Sequence, residues 1–130
     1  MRSLIKDEKA QAMVEMALAL PVLILLSLGI FDFGRVFGSY LVVNNLAREG
    51  ARYGVVGHSD SEILAAVNSE AAFLDITRLT VTPTPAGSRA RGTTLKISVS
   101  YTVPLVMPLV DYMIPNPFPL SSSCYMRVEQ

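Results

Sequence analysis

The chain has 130 residues, 51% of them apolar and 17% charged, and its 11 basic and 11 acidic side chains cancel to a formal net charge of zero. That length suits one modest domain, the apolar content is far too high for a disordered chain, and the lack of a basic excess argues against nucleic acid as a partner. The apolar residues are also concentrated: no charge occurs from Met16 to Phe31, and the stretch begins at Ala12 if Glu15 is tolerated. Twenty helical residues span about 30 Å, the thickness of a bilayer hydrocarbon core, which disfavours an ordinary soluble enzyme.

A polar leader, residues 1–10, precedes this stretch, with Arg2, Lys6 and Lys9 set against Asp7 and Glu8. Only Arg35 is basic within fifteen residues after the stretch. The Lys and Arg bias predicts a cytoplasmic N-terminus and an exported C-terminal part. A secretory signal peptide is the first rival, but no A-x-A cleavage site follows, and Ser27-Leu28-Gly29 is a weak substitute. A retained membrane helix is the better reading. Within it, Glu15 costs about 2.5 to 3.5 kcal/mol at mid-helix on insertion scales, so it either has a partner or snorkels at the boundary. Pro21 removes one helix donor and crowds the Ala17 carbonyl, so it either kinks or locally melts the helix, or is one of the prolines common in membrane helices.

After Phe31 the pattern becomes amphipathic. Phe33, Val36 or Phe37, Tyr40, Val43 and Ala47 recur every three or four residues, while Asp32, Arg35, Asn44, Arg48 and Arg52 fall mainly elsewhere on the wheel. One helix is therefore expected from about Ala12 to Val56, with Gly57 as its C-terminal cap. Its transmembrane half covers about 12–31 and its stalk about 32–57. The apolar face of the stalk needs cover from the rest of the chain or from another subunit.

Residues 58–130 read as a small exported α+β head. Ser59 and Glu62 match a capping box, and Ile63, Val67, Glu70 or Ala71 and Leu74 follow at helical spacing, predicting a helix from about Asp60 to Leu74. Beyond Asp75 the period becomes two. Leu79, Val81 and Pro83 suggest a short strand, and Leu95, Ile97, Val99, Tyr101 and Val103 alternate with polar residues over a longer one. The intervening Pro83–Gly92 reads as an exposed hairpin loop whose Arg89 and Arg91 are solvated, with an anionic surface as the alternative. Five prolines from Pro104 to Pro119 then favour extended or polyproline II geometry. The apolar residues among them need cover from the sheet or from a neighbour. A last strand runs from Ser121 to Val128, completing three antiparallel strands with one apolar face on the helices.

Catalytic constellations are missing. His58 is the only histidine and reads as a surface loop residue; Cys124 is the only cysteine, which excludes an internal disulfide and leaves a strand cysteine or an interchain pairing. Gly50, Gly54 and Gly57 lie within and at the end of a predicted helix, where they make no phosphate loop. No cofactor or metal is implied.

Three blocks in order, Gln11–Pro21 (QAMVEMALALP), Phe31–Arg35 (FDFGR) and Asn45–Tyr53 (NLAREGARY), resemble the N-terminal signature of TadE-like proteins, pilin-like or pseudopilin components of Tad, Flp-type systems related to type IV pili. The end of the chain, Tyr125–Glu129 (YMRVE), is similar to that family's last strand but less diagnostic. The resemblance implies a type IV pilin-like α+β fold and a prepilin-type leader cut between Ala10 and Gln11, which makes Glu15 the fifth mature residue, facing the N-terminal amine of a neighbouring subunit. Glycine usually precedes that cut. Ala10 therefore keeps open a second reading, an uncleaved membrane-anchored binding module that does not polymerise. A membrane-tethered hydrolase has almost no side chains to support it.

The expected function is a non-enzymatic structural subunit, shaft or minor component, of a Tad-type pilus. It would sit in the cytoplasmic membrane with its N-terminus inside and its head outside, and in an extracellular filament after assembly. Glu15 would set the charge register, Pro21 would let the helix loosen as the subunit leaves lipid, and Phe33, Phe37, Tyr40, Val43 and Ala47 would pack the stalk. Its partners would be membrane lipid, further copies or other pilins, the prepilin peptidase and the assembly platform, with no nucleic acid.

Overall fold

The computed structural model describes residues 2–71 and 73–129, with side chains from Glu8 onward. The leader's Met1 and the side chains of Arg2, Lys6 and Asp7, on which the topology expectation rests, lie outside that description. Helix α1 runs Arg2–Val55, about 80 Å at 1.5 Å per residue. It starts earlier than the apolar run because Lys6, Glu8, Lys9, Ala10 and Gln11 are strong helix formers with no breaker among them. Helical structure is unbroken through Pro21. After Val55 the chain turns, with Gly57 at φ 93°, a left-handed conformation that suits glycine.

Helix α2, Asp60–Glu70, begins at the anticipated capping box. The Ser59 hydroxyl accepts the Glu62 N–H at 3.4 Å, and the Ser59 N–H donates to Glu62 Oε2 at 2.8 Å. The helix stops one turn short of the expected Leu74: Ala71 takes non-helical angles and donates to the Val67 carbonyl. Asp75 then caps a 3-10 turn at Ile76–Arg78.

Strands β1 (Leu79–Thr84), β2 (Thr94–Val103) and β3 (Phe118–Arg127) form an antiparallel sheet in the order β1-β2-β3. Strand β3 starts three residues earlier than expected. Its Phe118 and Pro119 pair with Val103 and Thr102, and a proline is tolerated there because β3 is an edge strand with a free side. Pro83 occupies the other edge, opposite Ile97.

The two helices cover one face of the sheet. Val43, Leu46, Ala47 and Ala51 of α1 meet Ile63 and Val67 of α2 and all five inward residues of β2, Leu95, Ile97, Val99, Tyr101 and Val103. Each fully buried Val, Leu or Ile contributes about 1.5 to 3 kcal/mol, so the head is held by this one cluster. Two glycines let the layers approach: a Cβ on Gly54 would lie 2.2 Å from Leu95 Cδ2, and one on Gly50 would lie 3.0 Å from Val67 Cγ2. The head thus packs only on the C-terminal half of α1. The N-terminal half projects, and its apolar segment is bare of intramolecular cover.

Candidate functional site

Ala10, Gln11 and Glu15 lie exposed on consecutive turns of α1. Gln11 Nε2 donates to Glu15 Oε1 at 3.1 Å, an i, i+4 pair open to any further partner. Pro21 is exposed further along the same projecting segment, amid uncovered Leu18, Leu20, Val22 and Leu23.

The five stalk residues separate into two sets. Val43 and Ala47 are fully buried in the head core, whereas Phe33 is 72% and Phe37 55% exposed and Tyr40 is exposed beside them. Phe33 and Phe37 stack on each other, with ring centroids 6.3 Å apart and planes 8° from parallel. The head covers the stripe at Val43 and Ala47 and leaves it bare at Phe33, Phe37 and Tyr40. Phe33, Phe37 and Tyr40 form an uncovered aromatic ridge just beyond the apolar span.

Asp32 was not anticipated as a site residue, yet it is the buried acid of the chain's described residues, only 5% exposed. Its Oδ2 accepts the N–H of Val106 at 2.9 Å and of Met107 at 2.8 Å, and its Oδ1 accepts Val106 again at 3.1 Å. Arg35 lies 3.9 Å away. These charge-assisted bonds pull the proline-rich segment between β2 and β3 onto α1, rather than over the sheet. Asn116 closes the base of that loop by accepting the Leu105 N–H at 3.0 Å and donating to Asp111 at 2.7 Å. The available signal was an acid placed directly after a charge-free apolar run, where a partner is needed.

At the opposite end of the head, Arg89 is not solvated. Its guanidinium, with the side chain 4% exposed, pairs with Asp60 and donates to the carbonyls of Pro85 and His58. Asp60 also accepts the Gly87 N–H at 2.7 Å. Both contacts fasten the β1–β2 hairpin to the start of α2. Arg91 stays exposed. Nearby, Glu62 has its carboxyl held below its ordinary value of 4.5, first by the Ser59 N–H, then by the Ser59 hydroxyl and the proximity of His58. Cys124 is a free, half-buried thiol beside the core. Among the described residues, no three His, Cys, Asp or Glu side chains are grouped as metal ligands.

A long N-terminal apolar helix, one short helix and a three-stranded antiparallel sheet make an α+β, pilin-like arrangement. The family model described as TadE-like protein matches residues 10–52, the same family that the three sequence blocks resemble. The matched segment carries Glu15, Pro21, Asp32 and the aromatic ridge, and it ends before the head. No curated protein and no solved structure matches the chain. The family match and the apolar helix fit a Tad pilus-associated membrane protein.

Proposed function

We propose that the chain is a pilin-like structural subunit of a Tad-type pilus, anchored in the cytoplasmic membrane by the N-terminal half of α1 and assembled by helix packing. The observation that carries this reading is the division of α1: one face of its C-terminal half is buried by the head, and its apolar N-terminal half has no cover from its own chain. In the membrane, lipid covers that half; in a filament, the same halves of neighbouring subunits cover one another. Glu15 supplies the register by meeting the N-terminal amine of a neighbour once the leader is cut between Ala10 and Gln11, since a charge in an apolar bundle is tolerated beside its opposite. Pro21 leaves one carbonyl of the helix ladder without its usual donor, a weak point at which the helix loosens on leaving lipid. Phe33, Phe37 and Tyr40 add an aromatic seam above the lipid level. The work is structural rather than enzymatic.

Ala10 favours a second reading. A peptidase pocket shaped for glycine cuts poorly after a methyl group, and an uncut chain would remain a membrane-anchored binding module. The Glu15→Ala variant tests the first, and the intact mass of the chain in filaments separates the two. In the pilus reading it inserts into the membrane normally but is depleted from filaments sheared from the native host. Unchanged incorporation would remove the role assigned to Glu15.

A further inference from the structure

The loop between β2 and β3 carries a second apolar surface that neither helix packing nor the head core uses. Tyr112 is 90% and Met113 87% exposed, and Val106, Leu109 and Ile114 are exposed with them. Its location is set by two contacts on α1. Asp32, the residue that ends the charge-free run, holds the Val106 and Met107 N–H groups. One turn nearer the N-terminus, a Cβ on Gly29 would lie 3.6 Å from Met107 Sδ. At 1.5 Å per residue, Gly29 is about 3 Å inside the end of the apolar span at Phe31, so Met107 reaches the depth of the hydrocarbon edge. Between loop and helix lies a groove of about 310 Å³, lined chiefly by Gly29, Phe33, Val36, Met107, Val110 and Ile114.

We propose that residues 106–114 are a membrane-interface anchor, lying in the headgroup layer beside the transmembrane half of α1. This rests on the membrane-anchored reading above. The occupant of the exposed surface is lipid, because the surface is continuous with the lipid-facing span and lies at its boundary. Tyrosine with an apolar body and a polar tip suits that layer, and short apolar insertions of about 5 to 10 Å are held by buried area. The loop's own N–H groups, with Arg35 at 3.9 Å, satisfy the buried Asp32 carboxylate, which lowers the cost of placing it beside the hydrocarbon edge. The second contact fixes the tilt of the head over the membrane, which a single helix alone does not.

The sequence contains no tryptophan, so single reporters can be introduced in the full chain. Leu23→Trp, Tyr112→Trp and Ser88→Trp variants are reconstituted in vesicles of phosphatidylcholine and phosphatidylglycerol, with and without brominated acyl chains. Leu23→Trp reports the span, and Ser88→Trp reports the hairpin at the far end of the head. The expected result is bromine quenching of Tyr112→Trp at least about threefold greater than of Ser88→Trp, because an interfacial side chain lies about 5 to 10 Å into the headgroup and acyl boundary and the hairpin stands in water. If Leu23→Trp is quenched while Tyr112→Trp responds only to aqueous acrylamide, the loop stands clear of lipid and the anchor is overturned, with the membrane helix intact. Shielding of Tyr112→Trp from both quenchers would also overturn it, in favour of a second copy as the cover. If Leu23→Trp is not quenched, the membrane reading itself fails and the anchor falls with it.

Discussion

The carboxylate of Asp32 accepts the backbone N–H of Met107 at 2.8 Å, joining residues 75 positions apart. With the two bonds from Val106 it makes one acid the clasp between the end of the apolar span and the tip of the head. A charge so fully enclosed is tolerated because its acceptors are occupied, and removing it leaves the loop's donors to water.

Asp32→Ala therefore frees the loop without melting the sheet. Hydrogen bonds to a charged group contribute about 1.5 to 3 kcal/mol each when judged by removal. The Val106 and Met107 amides should lose their protection from hydrogen exchange, while β2 amides from Leu95 to Tyr101 keep theirs. Asp32→Asn, which retains one carbonyl acceptor, should give an intermediate loss.

Gly54 and Gly38 should respond to alanine with opposite signs. In helix interiors the change from glycine gains about 1 kcal/mol from propensity. At Gly38 nothing lies within 4 Å of the new methyl, so that gain should appear in the isolated chain. At Gly54 the methyl meets Leu95 Cδ2 at 2.2 Å and Ile63 Cδ1 at 3.1 Å. Overpacking of about 1 to 3 kcal/mol then outweighs the gain. Global exchange free energies of β2 amides, measured in detergent, read both effects.

Asp60 and Arg89 should be strongly coupled. Arg89→Ala strands an acid that is partly exposed, whereas Asp60→Ala strands a guanidinium that is almost wholly buried, and the second should be the more damaging. A double-mutant cycle should return a coupling of about 1 to 2 kcal/mol, well below the 3 to 5 kcal/mol quoted for fully buried pairs, because Asp60 is reached by water.

The first turn of α2 should resist acid until below pH 4.5. Glu62 is depressed in the folded chain, so its contribution is present above its ordinary value of 4.5 and is lost as pH falls through the lower folded value. Ser59→Ala removes the capping hydroxyl and should move the Glu62 titration, followed by carboxyl NMR shifts, back toward 4.5.

Local features of the fold were legible in the residues. The capping box at Ser59 and Glu62, the five alternating residues of β2 and the charge-free run each rest on neighbours within a few positions. What escaped depends on contacts across tens of residues. Nothing near Arg89 says that Asp60 will face it 29 positions away, and nothing near Pro104 says that Asp32 will receive the loop. The stripe from Phe33 to Ala47 was legible as apolar but not as divided, because the division depends on where along α1 the head comes to rest. Phe118 and Pro119 were hidden for another reason: their prolines mask a strand that is permitted only at a sheet edge.

The most direct measurement is the intact mass of the chain in filaments sheared from its native host. A chain beginning at Gln11, recovered in the filament fraction, is the expected result. A chain that retains residues 1–10 and is confined to the membrane fraction while the host produces filaments would contradict it, and would leave the membrane-anchored binding module in its place.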